Sequence, residues 1–411
     1  MAELFDALEG RDPAEREREL MSRLPGQIAH AQSHSAYFAK SLAGVDAHAV
    51  ATRAALAKLP VLRKQSLIDV QQQAQPFGGL TATLPARPFA GLGHVYASPG
   101  PIYEPEGRAA DWWRFARALY AAGMRAGDLV HNTFAYHFTP AGFMVDAAAQ
   151  KIGCCVFPAG TGQTEQQVIA INTLKPAAYV GTPSFLKIII EKADEMQLDI
   201  GSLKCASISG EAFFPAQKAL FEQRGIGALQ SYGTADLGLI AYESAAREGL
   251  ILAEDIILEI VRPGTGDPVA PGEVGEVVIT TFNADYPLLR FATGDLSALL
   301  PGLSPCGRTN TRIKGWLGRA DQTTKVKGMF VHPEQVAEVV QRHPEIGKAR
   351  LIVTTVDGND AMTLHCAGQG DAEAIATTLR NVTKLRGDVR FVAAGSLPND
   401  GKVIEDARKY D

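Results

Sequence analysis

The chain has few cysteines and no pattern among them. Cys154, Cys155, Cys205, Cys306 and Cys366 form no Cys-x-x-Cys pair and no metal-like spacing, and sequence neighbours such as Cys154 and Cys155 rarely bridge. A disulfide scaffold and a cysteine-held metal are excluded, and the thiols are expected to be reduced and mostly buried. No apolar run approaches the ~20 residues that a membrane span requires. The stretch Met1–Glu19 is acidic and helix-forming, not a basic segment followed by an apolar one, so a cytoplasmic location without a membrane partner is expected. A formal charge of −5 provides no basic field to gather nucleic acid, which is set aside as a partner. Internal repeats and low-complexity tracts are missing as well.

What is present is the composition of a soluble globular protein, 46% hydrophobic and 21% charged over 411 residues. At about 100–200 residues per domain, that length implies two or three packed units. Residues 1 to about 75 carry apolar positions at helical spacing, with helix stops expected at Leu24-Pro25-Gly26 and Leu59-Pro60. From about 90 to 260, short apolar runs such as Ala178-Tyr179-Val180 and Cys205-Ala206-Ser207-Ile208 alternate with helical stretches such as Asp111–Ala122 and Ser184–Met196. That alternation predicts βα units on a mostly parallel sheet. Ile256–Val261 and Val274–Thr281 predict a smaller β-rich subdomain, and the last ninety or so residues an α+β unit. The expected fold class is therefore α/β, with a large multi-subdomain N-terminal domain over 1–320 and a small α+β C-terminal domain over 321–411.

Four segments carry chemistry. In Ser231-Tyr232-Gly233-Thr234-Ala235-Asp236-Leu237-Gly238 a tight turn after an apolar strand puts a carboxylate beside a cleft; the plainer reading is a loop aspartate capping a helix. In Phe291-Ala292-Thr293-Gly294-Asp295-Leu296 the two acceptor oxygens of Asp295 suit a vicinal diol, or the segment is an ordinary turn. Gly318-Arg319-Ala320-Asp321 offers a planar, always-charged donor, or is a polar linker. Leu397-Pro398-Asn399-Asp400-Gly401-Lys402 ends on a lysine suited to developing negative charge, or is a solvated turn.

In this order the four segments resemble the Tyr-Gly-x-Ser/Thr-Glu, aromatic-x-Thr-Gly-Asp, Gly-Arg-x-Asp and Pro-x-x-x-Gly-Lys signatures of the adenylate-forming enzymes. Tyr286-Pro287-Leu288 with Arg290, Phe157-Pro158-Ala159-Gly160, Gly181-Thr182-Pro183-Ser184 and Ser209-Gly210-Glu211 resemble the phenylacetate–CoA ligases more closely. The resemblance implies that Tyr232 stacks near adenine, with Gly233 and Thr234 beside the nucleotide, and that Asp236 holds magnesium on ATP. There Asp replaces Glu and is one methylene shorter. It implies further that Asp295 takes the ribose diol and Arg319 contacts ribose or phosphate. Asp321 would be the hinge of a mobile C-terminal domain, and Lys402 would reach the acyl and α-phosphate oxygens. Gly210 and Glu211 would support the adenine and substrate pocket, with Ala159 and Gly160 near the acyl group. Tyr136 and Phe138 are expected to wall the acyl pocket, whereas His131 and His137 read as hydrogen-bonded core residues.

One segment departs from the pattern. Where a Ser/Thr/Gly-rich phosphate loop with a lysine is expected, the chain has Tyr96-Ala97-Ser98-Pro99-Gly100-Pro101-Ile102-Tyr103-Glu104-Pro105. Pro99 and Pro101 remove N–H donors and Glu104 would repel phosphate, which leaves Ser98 and Gly100. The implied function is an AMP-forming ligase that joins an aromatic or other apolar carboxylic acid to coenzyme A, with ATP, Mg2+ and coenzyme A as cofactors; a homodimer is compatible with it. Two alternatives stay open: a catalytically silent acyl-AMP or acyl-CoA binding protein, and an activating enzyme that loads a carrier protein.

Overall fold

The computed structural model describes residues 3–83, 86–320, 322, 324–327, 329–356, 359–398, 400 and 402–408. Two compact units divide the chain. The first comprises Met1–Leu258, Ile279–Phe291 and Leu300–Trp316; the second comprises Glu259–Val278, Ala292–Leu299 and Leu317–Asp411. Asp321, expected as the hinge, lies outside the described residues. No helix among those described is long and apolar enough to cross a membrane.

A nine-stranded sheet organises the first unit. Its parallel part runs in the spatial order Gly227–Thr234, Cys205–Ile208, Ala178–Gly181, Leu129–Asn132, Cys155–Pro158, with register pairs such as Ala178↔Cys205 and Val130↔Ala178. The inner strands read as short apolar runs because helices cover them, while the edge strand Cys155–Pro158 keeps its two ends exposed. The helix Pro183–Met196 shows how the sequence builds one. The Thr182 side chain accepts the Phe185 N–H at 3.3 Å and Pro183 fills the first turn. Leu186, Ile189, Ile190 and Ala193 then fall on one buried face, and the helix ends at Gln197 in the left-handed region. That face packs with Tyr179, Ala206, Ile208 and Phe221, and each fully buried Leu or Ile contributes about 1.5–3 kcal/mol. Beyond Thr234 the sheet turns antiparallel: Gly238–Glu243 folds back on Gly227–Thr234 with Tyr232 opposite Ala241.

The N-terminal helix Pro13–His34 runs through Pro25, where a stop was expected. A proline inside a helix forfeits one backbone bond and crowds the preceding turn. Here the apolar face continues past it, with Leu20, Leu24, Ile28 and Ala31 all buried, and Gln27 donates to Asn283 O at 2.9 Å. The expected helix over Asp111–Ala122 starts late, at Ala116. Asp111 and Arg114 take positive φ, and the Asp111 carboxylate accepts the Ala116 N–H at 3.1 Å. Cys154, Cys306 and Cys366 are buried, whereas Cys155 is exposed.

In the second unit a four-stranded sheet has the order Asp388–Val392, Asn359–Gly368, Ile346–Val356, Ile404–Asp406. Its central pair is antiparallel, with Leu351 opposite Leu364 and Val353 opposite Met362. Val336 and Val339 of Pro333–Arg342 and Ile375 and Leu379 of Ala372–Thr383 close the core over it.

Arg290 ties distant segments of the first unit together. It is 2% exposed, and one guanidinium nitrogen donates to Ala57 O at 2.7 Å and Leu59 O at 2.5 Å. Bonds from a charged donor contribute about 1.5–3 kcal/mol each. Arg290→Met is therefore expected to lower stability by about 3 kcal/mol in urea titration; a loss below about 0.5 kcal/mol would show that the clamp is dispensable.

Candidate active site

Open α/β sheets offer their ligand sites beyond the carboxyl ends of the strands. In this chain that edge carries Thr133 and Phe134, Ser209 and Gly210, and the turn 235–237. A cavity of about 160 Å³ opens there, lined by Ser98, Phe115, Phe134, Thr139, Pro140, Ala141, Met144, Val145, Ser209, Gly210, Gly233, Thr234 and Ala235. Four of the expected residues, Ser98, Gly210, Gly233 and Thr234, thus meet from three distant stretches of chain.

The turn that carries Asp236 depends on two glycines. A Cβ on Gly233 would lie 2.6 Å from Gly238 O and 3.1 Å from the Phe115 ring. Gly238 has φ +70, and a Cβ there would lie 2.5 Å from Trp113 O. Only glycine fits either place. Thr234 Oγ1 accepts the Leu237 N–H at 3.2 Å and closes the turn. Asp236 caps no helix; it sits between two strands with its side chain fully buried.

The partner of Asp236 comes from far away in sequence. Lys64 Nζ lies 2.5 Å from Asp236 Oδ2, and the lysine keeps a quarter of its side chain exposed. Lys64 sits just before the helix Leu67–Gln73, whose Gln71 exchanges two hydrogen bonds with the backbone of Tyr103, at 2.8 and 2.9 Å. That exchange fixes the helix to the hairpin His94–Ser98/Ile102–Glu106. Nothing local marked Lys64 as a site residue. Tyr286, 1% exposed, has no hydrogen-bond partner for its hydroxyl among the described residues, and burial first, then the charges of Asp236 and Glu104, raise its pKa.

Glu104, expected to face phosphate as a repelling charge, is itself bound to the turn. It is wholly buried and accepts from Ser98 twice, from the backbone N–H at 3.2 Å and from the hydroxyl. Burial first, and the Asp236 charge second, push its carboxyl up to about 7 against the pull of Ser98 and Lys64.

The other expected residues fall elsewhere. Phe138 is 81% exposed at φ +59 and does not line the cavity. Tyr136 does not line it either, and its hydroxyl accepts from Asn132 Nδ2 at 2.8 Å. Ala159 and Gly160 belong to a loop held by Gln167, which donates to Gly160 O at 2.9 Å and Gly162 O at 2.8 Å; Gln167 in turn meets the buried His131 at 2.8 Å. Glu211 is exposed and accepts from the Ser184 hydroxyl. Tyr232 is half-buried beside a register shift at Gly233. In the second unit Asp295, 8% exposed, pairs with Arg319 at 2.9 Å, so the sequence separation of 24 residues closes into one contact. Lys402 is exposed at the rim of a separate cavity of about 760 Å³, lined among others by Arg262, Asp267, Glu334 and Lys348 of its own unit.

A magnesium ion carried on ATP takes one or two protein carboxylates and fills its octahedron with phosphate and water. Asp236 Oδ1 is buried and has no hydrogen-bond partner among the described residues, which fits one such contact. Among the described residues no cluster of three or more His, Cys, Asp or Glu could hold a metal alone.

Parallel βα units with a ligand cavity at their carboxyl edge define an open-sheet α/β ligand-binding protein. The family described as AMP-binding enzyme matches residues 136–283. The chain is 31% identical to the phenylacetate-coenzyme A ligase of Aromatoleum evansii, covering 84% of this chain and 80% of that protein, and equally so, with the same coverage, to that of Thermus thermophilus. A crystal structure of 2-hydroxyisobutyryl-CoA ligase, in an open conformation with 2-HIB-AMP and CoA, shares the fold with a TM-score of 0.71 at 24% identity, over 95% of this chain and 91% of that one. The chain belongs to the adenylate-forming superfamily, in its phenylacetate–CoA ligase-like branch.

The folded state favours the protonated Glu104 carboxyl, because its pKa there is about 7 and the unfolded value is the ordinary 4.5. Stability complete below that ordinary value is therefore lost as pH rises from about 4.5 through about 7, by about 3 kcal/mol. Urea titrations across this range should show that slope in the wild type and a flatter one in Glu104→Gln. Equal slopes would mean that Glu104 is not the group responsible.

Proposed function

We propose that the chain is an AMP-forming acid–CoA ligase. A carboxylate attacks the α-phosphorus of ATP to give acyl-AMP and pyrophosphate, and the thiol of coenzyme A then displaces AMP to give the thioester. The observation that carries this reading is the meeting of Ser98, Gly210, Gly233 and Thr234 around one cavity with Asp236 in the adjoining turn. Family membership supports it.

The apolar part of that cavity, Phe115, Phe134, Pro140, Ala141, Met144 and Val145, suits a compact apolar or aromatic acyl group, the class of acid proposed here. Asp236 is the residue that would hold magnesium through Oδ1, and the bound ion would neutralise charge on the phosphates. Lys64 adds a fixed positive charge beside it. Asp295 and Arg319 are assigned to the ribose and phosphate; their mutual contact keeps the Asp295 carboxylate oriented before a nucleotide arrives. Lys402 is assigned to the first step, where an ammonium stabilises charge developing on the transferring phosphoryl oxygens. One lysine cannot stay at the acyl phosphate while a pantetheine thiol approaches the same carbon. Residues 321–411 are therefore proposed to swing as a domain, with Asp321 at the hinge.

Acid-dependent exchange of labelled pyrophosphate into ATP tests the first step. Exchange with at least one apolar or aromatic acid is expected, and silence across a broad panel of acids would leave only the binding-protein reading. Replacing coenzyme A by a carrier protein in the second step distinguishes the two thiol acceptors.

Lys402→Ala should lower adenylation by on the order of 10²–10³, while thioester formation from synthetic acyl-AMP continues near the wild-type rate. Equal loss in both half-reactions by a folded variant would remove Lys402 from its assigned role.

A further inference from the structure

The turn at residues 98–101 is shaped like an anion site whose anion is already part of the chain. Of its four residues, Pro99 and Pro101 have no N–H. The Ser98 N–H and hydroxyl both bond the Glu104 carboxylate. Two donors that could hold a phosphate oxygen are thereby taken, and the Gly100 amide is the one other backbone donor within the turn.

Glu104 is placed there by the pleat of its strand. Along Ile102–Glu106 the side chains at 102, 104 and 106 are buried, at 5%, 0% and 7% exposure, while on the other face Tyr103 is 41% exposed and Pro105 is buried. Successive strand side chains point to opposite faces. Turning Glu104 outward would require the whole strand to slip by one residue, against the register Tyr96↔Glu104 and Ser98↔Ile102 and against the two bonds exchanged between Gln71 and the Tyr103 backbone. The nearby cation is committed as well, since Lys64 bonds Asp236.

We propose that Glu104 is a specificity-determining residue, an intrachain carboxylate seated on the Ser98 donors in place of a nucleotide's outer phosphates, so that the site prefers adenosine monophosphate and acyl-adenylates to adenosine triphosphate. A triphosphate that reaches the turn meets occupied donors and, wherever Glu104 is ionised, a like charge. With its adenosine in the cavity, a monophosphate, or an acyl-adenylate with a single phosphodiester-like charge, would stop short of the turn. The inference rests on the reading of the cavity as an adenylate site and adds which phosphorylation state that site selects.

Calorimetry with AMP, ADP and ATP, each in the presence of magnesium, tests it. Wild type should bind AMP at least as tightly as ATP. Glu104→Ala, which frees both Ser98 donors and removes the charge, should tighten ATP by about tenfold or more while AMP changes by less than about twofold. Glu104→Gln keeps the size and one acceptor oxygen, and should give a smaller gain in the same direction. Wild-type ATP binding about tenfold tighter than AMP overturns the proposal whatever the variants do, and so does an unchanged ATP-to-AMP ratio in either folded variant. Binding of none of the three nucleotides by wild type or variant would instead defeat the adenylate-site reading itself.

Discussion

A carboxylate with no exposed surface has to be balanced where it sits, and around that requirement this chain's site is assembled. Asp236 reaches the buried interior because the turn from Gly233 to Gly238 is too tight for any side chain at its two ends. Its counter-charge is Lys64, 172 residues earlier. Removing one partner of a buried pair typically costs about 3–5 kcal/mol, because the other charge is left uncompensated. The pair therefore couples the N-terminal helical lobe to the central sheet: the segment before the helix Leu67–Gln73 has to be in place for the strand turn at 234–238 to close over a neutralised carboxylate.

The same helix carries the constraint to the hairpin. Gln71 locks the backbone of Tyr103, the pleat then buries Glu104, and Glu104 occupies Ser98. Two acids, one base and a tyrosine hydroxyl share a small, largely buried region, in which Glu104 rises toward neutrality chiefly through its own desolvation, with the Asp236 charge adding to it. The site differs from a glycine-rich phosphate loop in kind. Its backbone donors are few, and Glu104 already takes that of Ser98, so selectivity among nucleotides depends on side-chain chemistry that a glycine loop would lack.

Much of the architecture was legible before any coordinates. The βα alternation follows from short apolar runs bounded by turn residues, and the helix Pro183–Met196 from a cap, an N-terminal proline and one apolar face. The glycine-turned segment around Asp236 and the serine at 98 could be picked out because close backbone approach and anion contact demand those residue types locally. Pro25 misled, because its local cost is smaller than the burial gained by a helix that continues on both sides of it. Phe138 misled differently. Its place in an aromatic run suggested a pocket wall, yet a left-handed backbone at that residue turns the ring to solvent, while Phe134, Met144 and Val145 line the cavity instead.

By itself the sequence determined the fold class, the order of the signature segments and the chemical type of each candidate group, since periodicity, turn chemistry and side-chain charge are local properties. Only the tertiary structure decided which of those groups meet. Lys64 neutralises Asp236, Glu104 takes the Ser98 donors, and Arg319 holds Asp295, and none of these pairs is adjacent in the chain. The reason is physical: a charge or a hydrogen-bond donor is inherited from its residue, but whether it is free for a ligand depends on burial and on a partner that arrives through strand register or through the packing of elements distant in sequence.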